Sequence, residues 1–256
     1  MKTIIVASKL DPAGMNIINS LKELNSNIPI YIVDKEIINA ENIDKELNSD
    51  FIVFASKHQS EKKEKALTVH TIGNFKKAEY GGLDKTLSPS SALLTKHFFQ
   101  TLKKNNNLDY KLTMEATHHG PFIETPSLFI EIGSTKTEWN DKKAGKIIAE
   151  TIIESIKTFK KSNKKIAIAL GGPHYCPNFN EIQLQNKYAI SFIVPKYSLP
   201  LDKSLIKQLK EKTIEPLKYA IVDWKGFNNS KERDETVKLI EELNIEIIKT
   251  RDARTN

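Results

Sequence analysis

The amino-acid sequence predicts an α/β fold in which a mixed, mostly parallel sheet is flanked by helices. Apolar runs rich in β-branched residues alternate along the chain with amphipathic stretches, as they do in proteins that pack helices on such a sheet. The chain has 256 residues and 39% of them are hydrophobic, which is enough for a sizeable core. No internal repeat or long flexible linker interrupts the pattern, so residues 1 to 256 are expected to form a single α/β unit.

The predicted strands are short apolar runs bounded by polar residues, glycine or proline. The clearest is Ile166 to Leu170, because small and branched apolar residues in a row are typical of a central strand that is covered on both faces. In chain order, strands are predicted at Thr3–Ala7, Ile28–Val33, Phe51–Ala55, Leu67–His70, Lys111–Met114, Ser127–Ile132, Ile166–Leu170, Ala189–Val194, Tyr219–Asp223 and Glu246–Lys249.

Helices are predicted where apolar residues recur three and four positions apart. These stretches are Ala13–Leu24, Ser91–Lys103, Trp139–Phe159, Lys203–Glu211 and Lys231–Leu243. Trp139–Phe159 is interpreted as one continuous helix, because one side of it is apolar and the other carries Lys and Glu. The segment Ser56–Ser90 is the least regular part, since it contains three glycines and a proline, and it is predicted to form a lid or a small subdomain.

Composition excludes several classes of protein and of site. No apolar run approaches the roughly 20 residues that are needed to span a bilayer. The start of the chain is interpreted as a first strand and not as a signal peptide, so the protein is expected in the cytoplasm. The single cysteine, Cys176, excludes an internal disulfide and a multi-cysteine zinc site. A metal would therefore be held by histidine and carboxylate, and Cys176 itself is interpreted as a small apolar filler.

The charge of the chain permits a polyanionic partner but does not require one. Lys and Arg number 39 against 32 Asp and Glu, which gives a formal net charge of +7. This excess suits RNA, although a lysine-rich solvated surface would produce the same count. Lysines cluster at residues 57–65 and 157–165, and those at the end of a helix also complement the helix dipole.

The first segment that could carry chemistry runs from Met114 to Pro121 and contains His118 and His119. It follows a predicted strand, and the functional loops of open α/β sheets lie at the carboxyl ends of strands. If the alternation of the strand continues, His119 shares a side with Glu115, whereas His118 points toward the core as a buried support. Two adjacent histidines beside a Gly-Pro turn favour a functional role for this loop.

The second segment begins where the strand Ile166–Leu170 breaks off into Gly171-Gly172-Pro173-His174-Tyr175. Glycines allow a ligand to approach the backbone, and the amides of Gly171 and Gly172 are predicted to face an oxyanion. His174 follows as a candidate acid, base or metal ligand.

Three further positions near strand ends add polar groups. Asp11 is a natural N-cap for the first helix, whose start could attract phosphate or carboxylate, although capping alone explains the residue. His58, beside Lys57, and His70 each lie near the end of a predicted strand.

Together these segments resemble the archaeal and plant type of D-aminoacyl-tRNA deacylase, the D-tyrosyl-tRNA deacylase family. The segments that carry the resemblance are Ala7–Asn16, Ser56–His58, His70 with Gly73-Asn74, Glu115–Pro121, Glu131–Ser134 and Gly171–Tyr175. The His-His-Gly-Pro and Gly-Gly-x-His-Tyr motifs in this order are the most specific part. From Lys196 onward the sequence has nothing diagnostic, and Cys176 stands where the family commonly has a small residue.

The resemblance implies hydrolysis of the ester that joins a D-amino acid to the 3′ end of a tRNA, a step of translation quality control. It implies a tRNA carrying a D-amino acid as the partner, dependence on Zn²⁺, and a fold similar to peptidyl-tRNA hydrolase and the purine nucleoside phosphorylases. No membrane and no obligate protein partner are expected, and the protein is predicted to be a monomer.

Within this hypothesis His119, His174 and Glu115 form the core of the site. They either bind Zn²⁺ and leave a position open for water, or orient that water as general bases. His118 is a further catalytic candidate. The residues predicted to bind substrate are Gly171, Gly172, Tyr175, Lys57, His58 and Asp11.

Two alternatives stay open at this point. Hydrolysis of peptidyl-tRNA or of another RNA-linked ester would use the same histidine loops. A non-catalytic RNA-binding protein would be expected to show stacked aromatics or a basic stripe, but only 8% of the residues are aromatic and no RNA-recognition motif occurs. A nucleoside phosphorylase is disfavoured because arginine, the usual phosphate clamp, occurs only at positions 233, 251 and 254.

Overall fold

Ten strands arranged in two sheets form the framework of the protein in a computed structural model that describes residues 1 to 254. The strands are β1 Thr3–Ser8, β2 Ile30–Val33, β3 Phe51–Gln59, β4 Ala66–His70, β5 Lys111–Met114, β6 Ser127–Ser134, β7 Lys165–Leu170, β8 Tyr188–Val194, β9 Tyr219–Val222 and β10 Glu246–Lys249. Each predicted strand is present, and β3 is longer than predicted because it continues through Ser56 and His58.

Eight helices accompany these strands within the described residues: α1 Pro12–Glu23, α2 Ala92–Asn105, α3 Lys136–Trp139, α4 Lys142–Thr158, α5 Pro177–Leu184, α6 Lys203–Glu211, α7 Ser230–Glu241 and α8 Thr250–Arg254. Short 3₁₀ turns cover Ile37–Asn39, Ile43–Lys45 and Lys196–Ser198. Among the residues described, no helix combines the length and the apolar character that crossing a membrane requires.

The first sheet has the strand order β2-β1-β3-β6-β4-β5, and the second has the order β10-β9-β7-β8. All neighbouring strands are parallel except β4 and β6, which are antiparallel. The predicted mixed, mostly parallel α/β class is therefore confirmed, but the strands form two sheets where one was expected.

Three apolar clusters arrange the two sheets and the helices in layers. One cluster joins a face of each sheet with residues of α1, α2, α4 and α5. A second covers the other face of the second sheet with α6 and α7. The third covers the outer face of the first sheet, around Phe54 and Phe129, with the 3₁₀ turns at residues 37–45 and with Ile72 and Ile123. This outer face matters for the site because polar side chains interrupt its apolar surface.

One prediction about the helices is wrong. The stretch Trp139–Phe159 is not one helix, because the chain leaves the helical conformation at Asn140 and the Asp141 side chain then caps α4 by accepting hydrogen bonds from two backbone amides. The segment Ser56–Ser90 contributes the end of β3 and all of β4 to the first sheet. Residues 60–65 between the two strands and the part after His70 are irregular.

Candidate active site

A cleft of about 800 Å³ is lined by residues of the first sheet and of the loop that follows β7. Most residues predicted from the sequence to take part in catalysis or binding line it: Asp11, Lys57, His58, Glu115, His118, His119, His174 and Tyr175. Gly171 and Gly172 are not among the lining residues. The two histidine loops thus meet, although they belong to different sheets.

Strand alternation places several polar side chains on the outer face of the first sheet. In β3, His58 lies on the same face as Phe54 and Ser56, since these are alternate positions of the strand. In β6, Glu131 shares this face with Phe129. His70 lies at the end of β4. These three side chains are buried. The site therefore lies on a face of the sheet, and not only at the carboxyl ends of its strands.

Gly133 has no side chain, and the His58 ring occupies the space that a side chain at this position would fill. The two residues are paired across β3 and β6, and a Cβ atom on Gly133 would lie 2.4 Å from Cδ2 of His58. Since real Cβ atoms do not approach other heavy atoms this closely, a larger residue here would displace the ring.

The segment after β5 brings Glu115, His118 and His119 to the cleft, but not by continued alternation. The strand ends at Met114, and His119 has a φ of +46°. This left-handed residue breaks the alternation, so the rings of His118 and His119 lie side by side with centroids 4.3 Å apart. The prediction that His118 points into the core is therefore wrong, since 29% of its side chain is exposed and it lines the cleft.

Backbone hydrogen bonds tie this segment to the second sheet. The amide of Ala116 donates to the carbonyl of His174 at 2.8 Å, and the amide of Thr117 donates to that of Ile193 at 2.9 Å. These bonds hold Glu115 against His174.

The loop after β7 corrects the role predicted for the two glycines. The amide of Gly171 donates to the carbonyl of Val194 at 2.8 Å, and that of Gly172 donates to Gly226 at 3.0 Å. Both amides are thus occupied and neither is available to an oxyanion. The glycines have a structural role instead: both have positive φ, and they let the chain pass close to Gly226 before it presents His174.

At the centre of the site, the buried carboxylate of Glu115 contacts two histidines. His174 Nε2 lies 2.8 Å from Oε2, and His58 Nδ1 lies 3.1 Å from Oε1. Each of these histidines in turn contacts a tyrosine hydroxyl: His174 Nδ1 is 2.8 Å from that of Tyr197, and His58 Nε2 is 3.3 Å from that of Tyr175. The result is one chain of contacts, Tyr175–His58–Glu115–His174–Tyr197.

Burial and mutual contact separate the protonation behaviour of the two buried glutamates. Burial opposes ionisation of Glu115, but the hydrogen bonds from His174 and His58 outweigh it and hold the pKa of Glu115 well below its usual range. Burial and the neighbouring charge of Glu115 raise the pKa of Glu131 well above its usual range. Burial lowers the pKa of His58, but the hydrogen bond and charge of Glu115 prevail and raise it. The surroundings thus favour the ionised form of Glu115 and the protonated form of Glu131.

Three other histidines, His70, His118 and His119, form a cluster beside this chain. Their Nδ1 atoms lie 3.1, 2.8 and 2.6 Å from the carbonyl oxygens of Thr71, Ala116 and Gly120, respectively. Because a carbonyl can only accept, each Nδ1 carries the hydrogen and each Nε2 is left with its lone pair.

The same three imidazoles are neutral near pH 7. Burial lowers the pKa of His70 to about 4 and, together with the neighbouring His70, that of His119 to about 3. Burial and the neighbouring histidines also hold the pKa of His118 well below its usual range. His70 Nε2 is buried and has no hydrogen-bond partner among the described residues.

Several groups of side chains could hold a metal ion, because one ligand atom from each member lies within 4.8 Å of the others: His70 with His118 and His119, Glu115 with His118 and His174, and His58 with Glu115 and Glu131. The predicted ligands His119, His174 and Glu115 do not form such a group among the described residues. His119 belongs to the histidine cluster, whereas His174 and Glu115 belong to the chain of contacts.

The side chains of the remaining predicted residues are engaged in contacts with other groups of the protein. The Asp11 carboxylate caps α1 by accepting from the Gly14 amide, and it also accepts from the Ser56 hydroxyl, so capping explains it. Lys57 lies 3.5 Å from Glu36 and above the ring of Trp139. Burial raises the pKa of the Cys176 thiol well above its usual range, which agrees with a filler and not with a nucleophile.

The sequence patterns indicate His70 and Glu131 only weakly as residues of the site, and they do not indicate Tyr197. The alternation of β3, β4 and β6 was the available signal for His70 and Glu131, since it puts them on the face that carries His58. Tyr197 had no such signal, because it lies in a 3₁₀ turn after β8, 23 positions from the histidine that it contacts.

The sequence and the fold are both similar to known proteins. A family model described as D-aminoacyl-tRNA deacylase matches residues 45–248. Curated relatives named D-aminoacyl-tRNA deacylase include one from Pyrococcus furiosus, which is 37% identical over 96% of this chain and 99% of its own length. One from Methanocaldococcus jannaschii is 35% identical over 91% of this chain and 94% of its own length. A crystal structure described as a conserved protein of unknown function has a TM-score of 0.91 at 29% identity, covering 98% of this chain and 96% of the other.

Proposed function

The chain belongs to the D-aminoacyl-tRNA deacylase family, and we propose that it hydrolyses the ester bond between a D-amino acid and the 3′ end of a tRNA. The products are the free amino acid and a tRNA that can be charged again. The observation that supports this proposal best is the buried, ionised Glu115 between His58 and His174 in a cleft of about 800 Å³. We further propose that the protein acts as a monomer in the cytoplasm, on a tRNA that carries a D-amino acid.

Hydrolysis of an aminoacyl ester requires an oriented water and stabilisation of the charge that develops on the carbonyl oxygen. In our proposal Glu115 stays ionised and holds His174 at the cleft, where 28% of the histidine side chain is exposed. His58 faces the same carboxylate, which raises the pKa of His58 against the effect of burial and so favours its positively charged form. His174 and His58 are thus fixed relative to each other by one carboxylate.

The histidine cluster fits Zn²⁺. It offers three neutral imidazoles whose Nδ1–H groups are held by carbonyls, the arrangement that orients histidine ligands in zinc sites. Buried His70 Nε2, which has no hydrogen-bond partner within residues 1 to 254, is the kind of atom that a metal would satisfy. We propose that His70, His118 and His119 hold the ion, next to Glu115 and His174. When bound, Zn²⁺ supplies a Lewis acid and lowers the pKa of a water to about 7.

The metal proposal is tested by elemental analysis of protein that was purified without an affinity tag. About one zinc per chain is expected for the wild type, and His70→Ala and His119→Ala should each lower the content well below half. His97→Ala is the matched control, because His97 is a partly buried histidine outside the cleft. Full zinc content in both cluster variants would contradict this ligand set.

The activity is tested with matched D- and L-tyrosyl-tRNA and with N-acetyl-L-tyrosyl-tRNA. We expect rapid loss of the D-ester only, and a large fall in its rate for His174→Ala. Hydrolysis of the acetylated substrate in preference to the D-ester would instead favour a peptidyl-tRNA hydrolase. Binding of tRNA without hydrolysis of any of the three esters would favour a non-catalytic RNA-binding protein.

A further inference from the structure

Tyr197 makes a contact with the site that the proposed function does not use. It lies in the 3₁₀ turn that follows β8, and its hydroxyl is 2.8 Å from Nδ1 of His174. The two rings are stacked, with centroids 6.4 Å apart and planes at 22°. Lys76 holds the turn from the other side by donating to the Tyr197 carbonyl. The hydroxyl therefore meets the histidine in a defined orientation.

The direction of the hydrogen bond follows from the other end of His174. Nε2 faces Oε2 of Glu115 at 2.8 Å, and an ionised carboxylate can only accept, so Nε2 carries a hydrogen. In a neutral imidazole Nδ1 is then the acceptor, and the Tyr197 hydroxyl must donate to it. A tyrosine hydroxyl has a pKa of about 10, so near pH 7 that of Tyr197 keeps the hydrogen that it donates. No other partner of this hydroxyl occurs among residues 1 to 254.

At the other end of the chain of contacts, between Tyr175 and His58, the hydrogen bond has the opposite direction. The Tyr175 hydroxyl donates to Oγ of Ser60 at 2.9 Å, so its single hydrogen is engaged. Toward Nε2 of His58, at 3.3 Å, it can therefore act only as an acceptor. One tyrosine thus donates to its histidine and the other accepts, although both histidines face the same carboxylate.

We propose that Tyr197 is a positioning residue of the deacylase, which fixes the tautomer and the ring orientation of His174 by donating to Nδ1. The inference rests on the proposed function, because His174 must act on a bound ester for its orientation to matter. Without the hydroxyl, Nδ1 loses its only polar partner among the described residues, and the partly exposed ring can turn over and exchange the nitrogen that faces Glu115. Partners that orient a catalytic or metal-binding histidine commonly change activity or metal affinity by about 10- to 100-fold.

The test is Tyr197→Phe, which removes the hydroxyl and keeps the stacked ring. We expect kcat for D-tyrosyl-tRNA to fall by about 10-fold or more. KM should stay nearly unchanged, because Tyr197 is not among the residues that line the cleft. Tyr188→Phe is the matched control, since Tyr188 is a buried tyrosine at the opposite end of β8. Thermal unfolding of both variants shows whether either loss is merely structural.

A second readout does not depend on the substrate. In the ¹⁵N NMR spectrum, wild-type His174 should give the pattern of a single tautomer with hydrogen on Nε2, and Tyr197→Phe should give a mixture. Wild-type kcat together with an unchanged tautomer in the variant would overturn the proposal. If the wild type hydrolyses no aminoacyl-tRNA, the proposed function fails, and the NMR comparison still decides whether Tyr197 orients His174.

Discussion

Glu115 is the residue of the site whose charge matters most, because it is a buried carboxylate that two histidines share. It is 1% exposed, yet its contacts with two histidines favour its ionised form, and removal of its charge would leave both without the carboxylate that they share. In hydrolases that use a histidine held by a carboxylate, loss of that carboxylate lowers kcat by about 10²- to 10⁴-fold.

We therefore expect Glu115→Gln to lower kcat for D-tyrosyl-tRNA by at least about 100-fold, while far-UV circular dichroism stays unchanged. Glu150→Gln on the surface of α4 is the control, and it should retain the wild-type rate. A Glu115→Gln variant within a factor of about three of the wild type would show that Glu115 is not part of the reaction.

The sequence could identify residues of the site but not how they are divided. His118, His119, His174 and Glu115 stand beside glycine, proline and strand ends, and these local signals suffice to select them. Which of them contact each other depends on the left-handed φ of His119, which the sequence does not indicate in a non-glycine residue. Tyr197 contacts His174 only through the tertiary fold.

At the scale of the elements, the alternation of β3 and β6 builds the floor of the site. Gly133 is the position at which this arrangement is most constrained, since an added Cβ would also lie 2.9 Å from Cβ of His58. The pair shows how a strand position with no side chain can serve a functional side chain on the next strand.

Gly133→Ala should destabilise the fold by about 1–3 kcal/mol and lower kcat, because the His58 ring has to leave its place. Urea denaturation and steady-state kinetics measure the two effects. In the double variant with His58→Ala, the cost of Gly133→Ala to stability should shrink, since the clash is then gone. An equal cost in both backgrounds would mean that the alanine clashes with something other than His58.

A second element prediction concerns Lys96 of α2, which is 3% exposed and donates to the carbonyls of Gln183 and Gln185 at the end of α5. Burial, with a smaller contribution from the charge of Lys164, lowers the pKa of Lys96 to about 7 from 10.5. Between these values the unfolded chain binds the proton and the folded protein does not, so stability should rise with pH across this window.

The expected slope from this one residue is up to about 1.4 kcal/mol per pH unit between pH 7 and pH 10, and Lys96→Met should lack it. The measurement is the free energy of unfolding in urea at pH 7, 8 and 9 for both proteins, and the informative quantity is the difference between the two slopes. Parallel pH curves would show that Lys96 keeps its proton in the folded state.

Most element boundaries followed from periodicity, and the exceptions have physical causes. The apolar stripe of α4 extends back to Trp139 in the sequence, but Asp141 satisfies the first amides of a new helix and so starts α4 there. The sequence does contain this signal, since Asp is a preferred N-cap. The helix α5 gives almost no signal, because its eight residues are too few for a clear apolar period.

At the scale of the whole molecule, the site exists because two sheets are held together. Glu115 follows a strand of the first sheet and His174 a strand of the second, and the bonds from Ala116 and Thr117 to the second sheet join them. Sequence patterns describe single elements, so they predicted strands and loops correctly but not that the strands split into two sheets. The pairing of sheets is a long-range property that periodicity does not encode.

The net charge of +7 is also a property of the whole molecule, and the proposed substrate is a polyanion. Two exposed lysines, Lys63 and Lys136, line the cleft. Lysines that neutralise phosphates release counterions, so the affinity for tRNA should fall steeply as salt rises.

We expect log KM for D-tyrosyl-tRNA to rise linearly with log salt concentration, and the combined Lys63→Ala and Lys136→Ala variant to lower that slope by about 0.7 for each phosphate that is no longer neutralised. A D-tyrosyl ester of adenosine lacks the phosphates and should show almost no salt dependence with either protein. The matched control replaces Lys22 and Lys142, which line a separate surface depression, and it should keep the wild-type slope. If the control lowers the slope as much as the cleft variant does, tRNA is attracted by the total charge of the protein and is not guided by the lysines of the cleft.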